Sequence, residues 1–157
     1  MPSHEDFMRH AIALSRARMG DGDGGPFGAV VVMDGEIVGE GWNRVTGDND
    51  PTAHAEVVAI RAACERLGVF SLEGAVIYTT CEPCPMCLAA VYWARLDRVY
   101  YANTAEDAAR IGFDDVRLHR EVALAPAQRE LPSERLLADE ASAVLDEWAA
   151  DPDRLRY

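Results

Sequence analysis

The stretch AVIYTTCEPCPMCLAAVYWARLDRVYYA, residues 75–102, decides the fold. Ala75 to Thr80 is a β-branched and aromatic run that predicts a buried strand. Pro83 then opens a helix expected from Cys84 to about Arg95, and Val99 to Ala102 predicts a further strand. Strand, helix and strand in this order imply a sheet carrying helices on its faces. In such folds the carboxyl end of a strand and the helix that follows it are where ligands collect. Cys84 and Cys87 occupy that position, one helical turn apart and so on one helix face.

Upstream, the pattern extends the same layered fold. Ser3 caps a first helix with acids in its first turn, and Phe7, Ala11 and Leu14 recur at helical spacing towards Gly20. Gly22 to Pro26 is a loop. Phe27–Met33 and Glu36–Asn43 predict a hairpin around Asp34-Gly35, and Arg44 to Asp50 is polar loop. Asp50-Pro51 predicts the start of a helix that runs to Leu67 and stops at Gly68. Downstream, Thr104 to Arg110 predicts a short helix, Val116 to Leu124 a fifth strand, and 133–150 contains a last helix.

His54-Ala55-Glu56 falls in the first turn of the second long helix. Together with Cys84 and Cys87 it offers one imidazole, two thiolates and one carboxylate. His54, Cys84 and Cys87 suit a zinc ion that keeps one coordination position open for water, whose pKa zinc can bring near neutrality. Both cysteines lie near a helix N-terminus, which favours thiolate, and the same field biases His54 towards the neutral form. Glu56 is placed to carry protons beside that water. Residues two apart point to different sides of a helix, so His54 and Glu56 can share a site only if the helix aims its tip at it.

Other readings of the same residues are possible. Cys81 and Cys84 form a second, overlapping Cys-x-x-Cys. With Cys81 as fourth ligand the site would be a closed structural zinc, which leaves Glu56 idle. A redox Cys-x-x-Cys ignores His54. Cys64 reads as a core thiol, and His4, His10 and His119 as surface residues.

Composition narrows the function classes. The 157 residues suit one domain, with about 126–157 as a helical tail. No apolar run is long enough to span a membrane, and MPSHEDFMRH is no secretory leader. A cytoplasmic setting with reduced cysteines follows as expectation. The net charge of -12 argues against a nucleic-acid substrate and for a small molecule. All 15 basic residues are Arg. That excludes Schiff-base catalysis by lysine and the lysine-bearing phosphate loop.

His-x-Glu followed by Pro-Cys-x-x-Cys is the known signature of zinc deaminases. PTAHAEVVAIRAAC and TTCEPCPMCLAAVYWAR resemble the motifs of the cytidine deaminase superfamily. Within it GGPFGAVVV, Asn43, NDPTAHAE, CEPCPMC, YWAR and GFDD are most similar to bacterial guanine deaminases. The resemblance covers most of residues 7 to 117.

It implies an α/β/α sandwich around a five-stranded mixed sheet. It further implies hydrolysis of guanine to xanthine and ammonia, with one zinc per subunit on His54, Cys84 and Cys87 and Glu56 as proton shuttle. On the purine it places Asn43, backbone groups of Ala55, Phe27 against the ring face, and Asp115. Trp93 is a further candidate, for the pocket or for a dimer face. The resemblance also implies a homodimer in which the segment ending at Tyr157 crosses over to cap a partner's site. Related amino-heterocycles (guanosine, cytosine, an aminotriazine) and tRNA adenosine remain alternative substrates.

Overall fold

The computed structural model describes all residues, Met1–Tyr157, and divides into two compact units, Met1–His119 and Arg120–Tyr157. The first unit contains α1 (His4–Arg18), β1 (Gly28–Met33), β2 (Glu36–Trp42), a one-turn α2 (Val45–Asp48), α3 (Ala55–Leu67), β3 (Val76–Cys81), α4 (Pro85–Trp93), β4 (Arg98–Asn103) and α5 (Ala105–Arg110). The strands form one mixed sheet in the order β2-β1-β3-β4, with β1 antiparallel to both neighbours and β3 parallel to β4.

Two-residue periodicity sorts the core into two layers of side chains. Ala29, Val31 and Ile77 face α3 and α4, where they pack on Ala59, Ala63 and Val91. Val30, Val32 and Tyr78 face the opposite way, onto Phe7 and Ala11 of α1. The same alternation turns Thr79 towards α3 and Thr80 towards α1. Thr80 Oγ1 accepts from the Gly28 N–H at 3.1 Å.

Helix α3 lies unusually close to β2 because Gly39 and Gly41 have no side chains. A Cβ on Gly41 would stand 2.1 Å from the Ala55 carbonyl oxygen, and one on Gly39 2.3 Å from that of Ala59. This approach fixes the N-terminal end of α3 against the sheet.

The structure corrects three expectations. The sheet has four strands, because residues expected to form a fifth are helical: α6 spans Asp115–Ala123. Val116 and Leu118 alternate with Arg117 and His119 as in a strand. Val116, His119 and Ala123 also recur at helical spacing, and a segment this short fits both periods. The Leu118 N–H donates to the Asp114 carbonyl at 2.9 Å, which starts the helix.

Second, Asp50-Pro51 does not begin the long helix. Asp50 Oδ1 accepts from the backbone N–H and the hydroxyl of Thr52, at 2.8 and 2.7 Å. That local turn delays α3 to Ala55 and leaves His54 as its N-cap. Third, the expected loop after Asn43 contains α2.

In the second unit a 3-10 turn, Pro126–Gln128, precedes α7 (Ala138–Ala150), within the range expected for the last helix. No residue of α7 is buried. No helix of the protein is long and apolar enough to cross a membrane.

Candidate metal centre and its cavity

Two helix tips meet at the carboxyl end of β3. His54 is the N-cap of α3 and Cys84 the N-cap of α4, both with extended backbone; Cys87 follows in the first turn of α4. Extended cap conformations release His54 and Cys84 from the helical side-chain spacing. This resolves the conflict between His54 and Glu56. The imidazole leaves the tip of α3 and the carboxylate leaves its first turn, and both line the same cavity.

His54 Nδ1 lies 3.6 Å from Cys84 Sγ and 3.5 Å from Cys87 Sγ. All three donor atoms fall within 4.8 Å of one another. Zinc–sulfur bonds of about 2.3 Å and zinc–nitrogen bonds of about 2.0 Å, at a tetrahedral angle, require N···S edges of about 3.5 Å. The two edges found here fit that requirement, and the nitrogen–sulfur donor set suits zinc.

Cys81 is not part of the cluster. Its thiol points to the Thr104 carbonyl at 3.6 Å, and burial, with help from nearby carboxylates, pushes it up to about 12. The closed four-ligand alternative therefore loses its fourth ligand.

Electrostatics match the geometry. Cys84 is pushed down to about 4, chiefly because the Cys87 thiol donates to it, with further help from His54. The shared proton stays on Cys87, which is pushed up. His54 is held above the usual imidazole range by its hydrogen bond with Cys84, against the opposing effect of burial. The neutral bias expected from the helix tip is thus outweighed by the neighbouring sulfur.

Glu56 is 6% exposed, and burial raises its carboxyl above the ordinary range. Thr79, turned to this face by strand alternation, has its hydroxyl 3.2 Å from Glu56 Oε1 and donates to it.

A small cavity lies beside these residues. Of the residues expected at the site, Phe27, Asn43, His54, Ala55, Glu56, Cys84 and Asp115 line it. Cys87 sits behind them, fully buried.

Asn43 is also buried, and its Oδ1 accepts from the Val45 N–H at 3.1 Å. Phe27 is a cavity wall, with its ring edge-on to Phe113 at 4.8 Å and 84°. Half-buried Asp115 has its carboxyl raised, mainly by burial.

Two expected residues are not brought to the lining. Trp93 ends α4 and is 64% exposed, beneath the Arg95 guanidinium. Tyr157 belongs to the second unit and is exposed.

Sequence reasoning missed Glu82, Phe113 and Thr79. Glu82 lines the cavity, and its Oε2 accepts from the Ala105 N–H at 2.9 Å, capping α5. Its place inside CEPCPMC was the available signal. Phe113 lies in GFDD, two residues before Asp115. Thr79 had no signal beyond strand parity. His119, expected at the surface, is half-buried.

Comparison with known proteins places these features in context. Residues 1–103 match the family described as the cytidine and deoxycytidylate deaminase zinc-binding region. The chain is 45% identical to a guanine deaminase of Bacillus subtilis over 155 residues, covering 99% of each protein. The crystal structure of a guanine deaminase from that organism superposes with a TM-score of 0.95, at 45% identity and over 99% of both chains. A structure described as guanine deaminase from Nitrosomonas europaea gives 0.70 at 28% identity, covering 96% of this chain and 87% of that one. A tRNA-specific adenosine deaminase of Agrobacterium fabrum is 46% identical over 101 residues, 64% of this chain and 66% of that protein.

Proposed function

This chain belongs to the cytidine and deoxycytidylate deaminase family and is a zinc-dependent aminohydrolase, and we propose that its substrate is guanine, hydrolysed to xanthine and ammonia. The observation that carries the substrate is likeness to a guanine deaminase along 99% of both chains. Likeness to the tRNA-specific relative stops at 64% of this chain. The net charge of -12 also disfavours a polynucleotide.

His54, Cys84 and Cys87 would hold the zinc. Bound there, the ion would supply Lewis acidity that activates a water. Glu56 would take one proton of the attacking water at its carboxylate and pass it to a ring nitrogen, then take the second proton of the same water and pass it to the amine, which leaves as ammonia. Its burial suits the role, since desolvation raises the carboxyl and so favours the protonated form it must take up between the two transfers. Thr79 holds the Glu56 carboxylate in place through Oε1. Asn43 offers its amide N–H to an acceptor on the purine, with its carbonyl fixed by Val45. Phe27 contributes an apolar wall against the flat ring. Asp115 and the backbone of Ala55 contact its polar edge.

The working form is a homodimer in the cytoplasm, where the cysteines stay reduced. Support for association comes from apolar side chains that face outward: Leu88, Tyr92 and Trp93 on α4, and Val144, Leu145 and Trp148 on α7. The helical tail, 126–157, docks on the partner, and Tyr157 closes the partner's cavity.

Ammonia release from guanine, guanosine, adenine, cytosine and ammeline by zinc-replete protein tests the substrate. Guanine should be turned over with the highest kcat/KM. A clear preference for any other member of the panel would overturn the reading.

A further inference from the structure

Beside the cavity at the metal ligands lies a second, wider and more open chamber, bordered by Gly22, Gly25, Val45, Thr46 and Pro51. Only Asn43, His54 and Phe113 line both spaces. Two of these three have work assigned at the reacting end of the site. The Phe113 ring remains, on the wall that the smaller inner cavity shares with the wider chamber.

That ring is held from two sides. It meets Phe27 edge-on at 4.8 Å, and its tip rests against the backbone of Gly25. A Cβ on Gly25 would stand 2.7 Å from Phe113 Cζ and 2.9 Å from Phe27 Cε2, so only glycine lets both rings occupy these positions. At 37% exposed, Phe113 is partly open to solvent and also lines the inner cavity.

We infer that Phe113 is a specificity-determining residue, a partition that confines the substrate to a free base by blocking the path a ring substituent would take into the outer chamber. This rests on the guanine reading above. A wall that rejects one ligand by collision separates two substrates that the polar contacts alone would treat alike. It acts on the unreacting edge of the substrate. Removing it should loosen ground-state binding of the base and leave the proton transfers of Glu56 in place.

The test compares the parent protein with Phe113→Ala and Phe113→Leu, each zinc-replete. Steady-state ammonia release is measured from guanine and from guanosine. In Phe113→Ala, KM for guanine should rise about fivefold to tenfold while kcat stays within about threefold. The guanosine-to-guanine ratio of kcat/KM should rise at least about tenfold, with Phe113→Leu between the two.

A merely structural role would lower both activities together and leave the ratio unmoved. A ratio within about twofold of the parent in both variants would overturn the inference. Should Phe113→Ala fail to fold, the ratio in Phe113→Leu decides alone. A parent that turns over guanosine but not guanine removes the substrate reading and this inference with it. A parent active on guanine with unmoved variants removes the inference only.

Discussion

Replacing Gly41 with alanine tests how the sheet positions the metal site. The added Cβ would stand 2.1 Å from the Ala55 carbonyl and 2.5 Å from the Ala59 amide nitrogen, against an ordinary contact of at least 3.4 Å. The N-terminal end of α3 must therefore retreat by about 1.3 Å. His54, as the N-cap, travels with it, whereas Cys84 and Cys87 belong to α4 and stay. The N···S edges of 3.5 and 3.6 Å would open by up to that amount, well beyond the roughly 0.2 Å a zinc site tolerates.

Overpacking of this kind costs about 1–3 kcal/mol, or about 2–4 °C of melting temperature per kcal/mol for a chain this size. A displacement near 1 Å at the reacting groups costs on the order of 10² in turnover. Gly39→Ala is the control. It strains the same strand against Ala59 and Ala63, one contact further from the tip of α3.

Both variants should melt several degrees lower, measured by circular dichroism. Only Gly41→Ala should also lose zinc affinity in a chelator competition, and lose about 10²-fold in ammonia release. Equal losses in the two variants would refute the claim that Gly41 sets the ligand geometry. So would full zinc affinity in Gly41→Ala.

Other outcomes follow from the same geometry. Glu56→Gln keeps the shape of the buried side chain but cannot carry a proton. Ammonia release should fall on the order of 10² or more at unchanged zinc stoichiometry, and a loss below tenfold would contradict its role as shuttle. Zinc affinity should depend on pH in two slopes. Above the raised His54 value binding displaces chiefly the proton of Cys87, since Cys84 is already ionised. As pH falls through the raised His54 value, a second proton must also be displaced. The logarithm of the affinity should then steepen from about one to about two decades per pH unit, and a single slope across pH 5.5–9 in the chelator competition would refute this proton count.

Much of the layered fold was legible because burial and strand parity write themselves into the sequence. The run from Phe27 to Met33 and the Asp34-Gly35 turn gave the hairpin, in which both turn residues adopt positive φ. The same parity, applied to Val116–Leu124, misled. Val116 and Leu118 alternate with polar neighbours, and over so short a segment that alternation competes with the helical spacing of Val116, His119 and Ala123 and with Asp114 as a helix-starting residue.

The metal ligands were legible as a motif. Their convergence was not, because it depends on His54 being a cap and not a helical residue. That in turn depends on Asp50 spending its side chain on Thr52. Glu82, Thr79 and Phe113 reach the cavity through long-range packing: a capped α5, a strand face and a ring lodged on Gly25. Such contacts join residues dozens of positions apart, beyond any short-range pattern.

The central claim is that one imidazole nitrogen and two sulfurs hold the ion, with the fourth vertex open to solvent. X-ray absorption at the zinc edge, on protein carrying one ion per chain, addresses this directly. The account predicts two sulfur scatterers at about 2.3 Å and two nitrogen or oxygen scatterers at about 2.0–2.1 Å, one of the latter an imidazole. The spectrum should be unchanged in Cys81→Ala. Three sulfurs in the shell, or a spectrum altered by that substitution, would mean that Cys81 closes the site and that the open vertex does not exist.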